Sequence, residues 1–235
     1  MCTLTFLPLN SGEFLFTHSR DESPKRTFLP PKEIFEEGVK YFAPKDALAG
    51  GTWLAVSNNR IACLLNGAFD LHIPKPPYRH SRGLIIPHLF SFPSFKTFEE
   101  NYNFLGIDNF TLIAWEHGNL YELRWDGIDI FSQKLDTSQS HIFSSSTLYN
   151  SDHKSIRKQW FHEWQNKVGI DSHREIIDFH KNAGDHHRGI ALNMNRGNFV
   201  KTVCISCIEY NNGNSNYHYV DMLNNKEYNF HIPDK

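Results

Sequence analysis

Short runs of β-branched and aromatic residues, bounded by turn residues, dominate both ends of this chain, and helical periodicity interrupts them twice. The first run, Cys2-Thr3-Leu4-Thr5-Phe6-Leu7, turns through Asn10-Ser11-Gly12 and returns as Phe14-Leu15-Phe16-Thr17-His18, ending in Ser19-Arg20-Asp21-Glu22. This pattern predicts a hairpin. A tip at Asn10-Ser11 sets Cys2 opposite Ser19, whereas a tip at Ser11-Gly12 sets it opposite Asp21. Residues 23–48 read as loop, punctuated by Pro24, Pro30, Pro31 and Pro44. A second hairpin runs from Ala49-Gly50-Gly51-Thr52-Trp53-Leu54 through Ser57-Asn58-Asn59 to Arg60–Leu65. Its paired glycines predict a close backbone approach or a bulge.

The middle of the chain alternates in the same way. A short, proline-interrupted helix is expected over 81–90 and a better one over 95–105, capped by Ser94. Strands at 110–115, 120–125 and 128–131 form a meander, and the Ser/Thr-rich residues 136–151 read as loop. Two helices follow. The first, from Ser151, presents Ile156, Trp160, Phe161, Trp164 and Val168 on its apolar face, with Arg157 assigned to the polar side and Gly169 ending it. The second covers 172–182. Strands near 199–210, 216–222 and 226–230 close the chain. Strands, then helices, then strands predict an α+β domain of mostly antiparallel sheets, organised as one domain over residues 1–235.

Composition narrows the function classes. Of 235 residues, 24 are Lys or Arg and 26 Asp or Glu, with no basic stripe, so nucleic acid is not an expected partner. No run of about 18 apolar residues is present to span a bilayer, and the N-terminus has no secretory pattern. Four cysteines do not make a disulfide scaffold, so a cytoplasmic setting is expected. Cys204 and Cys207 fall in a β-branched run where residues three apart point to opposite faces, which disfavours a redox or zinc C-x-x-C. Cys63 reads as core. His180, His186 and His187 do not have ligand spacing, and no metal or cofactor is expected.

Cys2 carries the candidate chemistry. A small second residue favours removal of Met1, which would give Cys2 both a thiol and an α-amine of pKa roughly 7.7–8, a general base near neutrality. A nucleophile with its own amine as base needs no histidine. Arg20 would favour the thiolate, and Asp21 would hold the protonated amine. The alternative is that Cys2 is a small apolar residue in a buried strand. Asn66, before Gly67, is either a tight-turn residue or an amide donor to an oxyanion.

Met1-Cys2-Thr3-Leu4, Arg20-Asp21-Glu22, Gly50-Gly51-Thr52-Trp53-Leu54, Asn66 and Ser81-Arg82-Gly83 together resemble the NRDE family, which includes the transport-and-Golgi-organisation protein 2 homologues. Ser19 stands where the family signature has Asn. The family is similar to N-terminal-nucleophile (Ntn) hydrolases, so the resemblance implies a four-layer αββα sandwich. It also implies that Cys2, Arg20 and Asp21 fall on the nucleophile, arginine and aspartate positions of cysteine members that cleave amides. Ser145 stands where a second-half Asn is expected, and the C-terminal arginine of those hydrolases has no clear counterpart, Arg196 and then Arg188 being the candidates. Two functions follow from the resemblance. One is hydrolysis of a small-molecule amide at a non-peptide C–N bond. The other is non-catalytic binding or trafficking of a hydrophobic ligand such as haem or a lipid.

Overall fold

The computed structural model describes residues 2–9, 12–36, 38–170, 172–197 and 199–233. Its chain divides into two compact units. The first holds residues up to Arg26, Ser138–Ser144 and the chain from Leu148 onward. The second holds Thr27–Thr137 and Ser145–Thr147.

In the first unit, the strands are β1 (Cys2–Pro8), β2 (Phe14–Glu22), the short β10 (His141–Ser144), β11 (Lys201–Asn211), β12 (Asn214–Asp221) and β13 (Lys226–Ile232). They form one antiparallel sheet in the order β10-β1-β2-β11-β12-β13. Helices α3 (Ser151–Gln165) and α4 (His173–Asn182) cover one face. Leu7, Leu15, Ile205 and Val220 from the strands pack there against Phe161, Ile176, Ile177 and Phe179. Asn150 caps α3, and Ser172 with Glu175 makes a capping box that starts α4.

In the second unit, β3 (Phe28–Glu36), β4 (Val39–Asp46), β5 (Leu54–Ser57), β6 (Arg60–Asn66), β7 (Phe110–Glu116), β8 (Asn119–Trp125) and β9 (Ile130–Leu135) follow one another in sheet order. Helices α1 (Ile85–Ser91) and α2 (Phe95–Asn101) bury Ile85, Leu89, Phe95 and Phe98 with Leu64, Leu112 and Leu123 of this sheet. The chain is therefore α+β and contains two antiparallel sheets, each with a helical layer. Among the described residues, no helix is long and apolar enough to cross a membrane, which says nothing about β-barrels.

Several elements depart from the sequence reading. Residues 28–36 and 39–46 are strands rather than loop. Pro30 and Pro31 sit where the β3–β4 register shifts between Leu29 and Lys32, and β3 is an edge strand; both settings tolerate a missing N–H. The Ser/Thr-rich stretch contains β10, which pairs with β1. Arg157 is completely buried, while Ile156 of the expected apolar face is 37% exposed. The spacing 157, 161, 164 puts Arg157 on the same helix face as Phe161 and Trp164.

The paired glycines make the close approach. A Cβ on Gly51 would lie 2.5 Å from the carbonyl carbon and 2.6 Å from the Cα of Gly83, and Thr52 N–H donates to the Gly83 carbonyl at 3.0 Å. Two of the sequence motifs, Gly50-Gly51-Thr52 and Ser81-Arg82-Gly83, thus meet backbone to backbone. Gly51→Ala is expected to cost about 1–3 kcal/mol because backbone must shift. Gly169→Ala, at a glycine with open space around it and an ordinary φ, is expected to be near neutral. Urea unfolding of both variants checks this, and equal midpoints would contradict the steric reading.

Under α4, the His180 ring is sandwiched between two hydroxyls of the sheet. Its Nε2 lies 2.9 Å from Thr5 Oγ1 and its Nδ1 2.8 Å from Ser19 Oγ. Burial, with the Arg157 charge adding to it, pushes its pKa down to about 3. The unfolded chain takes up that proton near pH 6.5 and the folded chain does not. Over this interval the unfolded state binds more protons, so the fold loses stability as pH falls from 6.5 toward 3, by up to roughly 4 kcal/mol from this group. Wild type is expected to lose urea resistance more steeply between pH 6.5 and 4 than His180→Gln, whose amide does not titrate. Parallel pH profiles for the two proteins would overturn this assignment.

Candidate active site

The register of the first hairpin sets the geometry. Cys2 pairs directly with Arg20, Thr3 with Ser19 and Leu4 with His18. This is one residue away from each of the two registers expected from the sequence. The cause is the length of the connection. Leu9 N–H donates to the Glu13 carbonyl at 2.9 Å, so facing residues are separated by three positions rather than by the two of a tight turn. Gly12 has φ +85°, the left-handed residue that such a loop requires. Asn10 and Ser11, on which the expected tips were placed, lie outside the described residues.

Directly paired residues share a face, so Cys2 and Arg20 point to one side of the sheet. Thr3 and Ser19 point to the other, toward α3 and α4. On the Cys2 side the rung continues to Cys204 of β11 and Asp221 of β12. Cys2 is 3% exposed and Arg20 5%. The Arg20 guanidinium lies 3.9 Å from Glu22, which also meets Arg26 at 3.9 Å.

Asp21 occupies the helix side, fully buried. Its carboxylate accepts from Thr202 Oγ1 at 2.7 Å and from Tyr149 Oη at 2.8 Å. Burial raises its pKa, while the Arg157 charge and these two hydroxyls act to lower it. The Arg157 guanidinium stacks on the Tyr149 ring at 3.6 Å and donates to Thr3 Oγ1, to Ser144 Oγ at 3.1 Å, and to the Ile190 and Ala191 carbonyls at 2.8 and 2.6 Å. Sequence reasoning missed Arg157 and Tyr149. The helical spacing of Arg157 from Phe161 was the available signal for the first; Tyr149, in a polar stretch before α3, had none.

The thiol itself is not a ready thiolate. Burial raises the Cys2 pKa, Asp21 pushes it the same way, and Arg20 opposes them. Arg20 does favour the thiolate by charge, but desolvation outweighs it. Cys2 is therefore protonated near neutrality and needs a base in order to react.

The remaining sequence candidates are distributed as follows. Asn66 ends β6 in the second unit, opposite Phe110. Its carbonyl accepts from Ser145 Oγ at 2.7 Å, and the following Gly67, at φ +82°, donates to the Asn109 carbonyl at 2.9 Å. Ser145 thus holds the backbone of Asn66. Arg196 donates to the Gly189 and Leu148 carbonyls at 3.0 and 3.2 Å and lies 5.8 Å from the Tyr149 ring, whereas Arg188 is exposed. Cys204 and Cys207 lie on opposite faces of β11, both with pKa pushed up to about 12 by burial, and Cys207 Sγ accepts from Thr17 Oγ1 at 3.1 Å. Cys63 is buried in β6. His186 and His187 are exposed in a short 3₁₀ turn.

Comparison with known proteins bears on the fold and the family. A crystal structure of a cysteine-to-alanine mutant of a conjugated bile acid hydrolase from Clostridium perfringens matches with a TM-score of 0.58, covering 99% of this chain and 92% of that one at 12% sequence identity. At that identity the likeness shows a shared fold, the Ntn-hydrolase-like α/β sandwich. No curated protein matches the sequence. The sequence profile of the Transport and Golgi organisation 2 family matches residues 1–227, and the chain therefore belongs to that family.

Proposed function

We propose that this protein is an N-terminal-cysteine hydrolase that cleaves non-peptide C–N bonds of small-molecule amides, with Cys2 as the nucleophile. The observation that carries this reading is the direct pairing of Cys2 with Arg20 at the buried end of β1, with Asp21 on the adjacent rung. The fold shared with a bile acid hydrolase supports it. That none of the four cysteines is in a disulfide fits a reducing compartment such as the cytoplasm.

The chemistry follows from the protonated thiol. With Met1 removed, the α-amine on Cys2 takes the Sγ proton as Sγ bonds to the amide carbon. The backbone nitrogen of a strand residue lies in the sheet plane, so an aspartate on the opposite face from the thiol can still hold the resulting ammonium. Arg20 offsets negative charge as it develops at sulfur. On the resemblance alone, Asn66 is assigned as the oxyanion donor, a role worth about 3 kcal/mol. The tetrahedral intermediate collapses, the C–N bond breaks, and the ammonium protonates the leaving amine. Water then adds to the thioester carbon, giving its proton to the same amine. The carboxylic acid departs and the thiol is restored.

The decisive experiment combines intact-mass analysis, labelling with an electrophile panel and turnover of a series of N-acyl amides. The active form is expected to lack Met1, to carry the label on Cys2, and to hydrolyse at least one amide. Cys2→Ala is expected to lose turnover roughly 10³-fold or more. Asn66→Ala is expected to lower kcat about 10²–10³-fold with little change in KM. Met1 fully retained in active, natively expressed protein would sink the mechanism. A haem spectrum abolished by Cys2→Ala, in a wild type with no amide turnover, would replace hydrolysis by ligand binding.

A further inference from the structure

Away from Cys2, the first unit brings together His173, Glu209 and His218 from three separate elements. His173 is the first residue of α4, Glu209 lies on β11 and His218 on β12. His218 pairs with Cys207, two residues before Glu209, so both side chains stand on the face that α4 covers. The ligand atoms of all three lie within 4.8 Å of one another. We propose that they bind a divalent transition-metal ion of the zinc type, using His173 Nδ1, His218 Nε2 and Glu209 Oε2, with the fourth position open to water.

Distances fit this ion. Glu209 Oε2 lies 3.2 Å from His218 Nε2 and 3.7 Å from His173 Nδ1. In a tetrahedral site with bonds of about 2.0–2.1 Å, adjacent ligand atoms are about 3.3 Å apart, so small rotations of the rings complete the set. Two histidines and one glutamate, with no thiolate, suit zinc better than calcium or magnesium, which take oxygen ligands. His173 and His218 are stacked, with centroids 3.4 Å apart and planes at 8°, so binding one ion requires the rings to tilt until their in-plane lone pairs converge.

The surrounding groups prepare the ligands. His218 Nδ1 faces Asn229 Oδ1 at 2.7 Å, and the two residues are directly paired on β12 and β13. That contact places the ring proton on Nδ1 and turns the Nε2 lone pair toward Glu209. The carboxylate oxygen 3.2 Å from that nitrogen is a contact that either a proton or a metal ion can bridge. A hydrogen-bonded far nitrogen is also the usual support for a metal-bound histidine. Asn216 Nδ2 donates to Glu209 Oε2 at 3.4 Å and steadies the carboxylate. The ion would fasten the start of α4 to β11 and β12. No sequence spacing reveals this site, because its ligands come from a helix start and two strands.

The test uses the full chain after chelator treatment, titrated with Zn²⁺ by calorimetry and with Co²⁺ by visible absorption. One equivalent of zinc is expected to bind, and cobalt to give ligand-field bands of a four- or five-coordinate site. Glu209→Gln and His218→Ala are expected to weaken zinc binding at least 10²-fold, and Asn229→Ala about tenfold. The partly exposed His173→Gln provides a variant whose fold is under least strain, with melting curves of the apo forms as the check. Cys2→Ala is expected to bind zinc as wild type does. Absence of zinc binding in wild type would overturn the proposal and leave a His–Glu ion pair in its place. Binding that survives in both His218→Ala and His173→Gln, or that disappears in Cys2→Ala, would place the metal elsewhere and overturn it equally.

Discussion

A fully buried guanidinium must have every donor satisfied, and in the first unit that demand falls on Arg157. Its partners are a hydroxyl on β1, one on β10 and two carbonyls at 190 and 191, with the Tyr149 ring beneath it. Tyr149 in turn donates to Asp21. One side chain of α3 therefore fixes the edge pairing of β10 on β1, the entry into α3 and the carboxylate on the rung after Arg20. Its charge opposes the effect of burial on Asp21, and so favours the ionised carboxylate that a hydrolytic role requires. Removal of Arg157 would leave Asp21 and Thr3 in a buried layer without their compensating cation.

The same helix-facing layer explains how Ser19 is accommodated where the family signature has Asn. Its hydroxyl meets His180 from α4, and the ring reaches on to Thr5. Serine, threonine and a neutral histidine form a closed set of hydrogen bonds inside a region otherwise built from Leu7, Leu15 and Phe179. The polar residues of β1 and β2 that look out of place in a core strand, Thr3, Thr5, Thr17 and Ser19, are there because the helix side of this sheet is partly polar by construction.

Much of this was legible in the chain. Alternation and turn residues gave most strands, and the second hairpin has the Asn58-Asn59 turn its sequence implies, with Ser57 opposite Arg60. The marks that led to the family were Cys2, Arg20-Asp21 and the glycine pair. Other features were hidden for physical reasons. Proline argues against a strand until the strand is known to be an edge, as β3 is. An arginine inside an apolar helix face is read as surface until its carbonyl and hydroxyl partners are visible. Metal-ligand geometry built from α4, β11 and β12 depends on tertiary contacts that no local spacing encodes.

The loop between β1 and β2 is a measuring device. Three residues bridge Leu9 and Glu13, and that count alone decides which side chain stands across from the thiol. One residue fewer or more would exchange Arg20 for a neighbour and turn either the cysteine or its partner strand over, sending the thiol toward α3 and α4 or the guanidinium away from it. Substitutions in the loop that keep a left-handed residue at Gly12 leave this spacing intact. Insertions and deletions do not, however conservative their chemistry. In this hairpin the variable that history is free to change is composition, and the one it is not free to change is length.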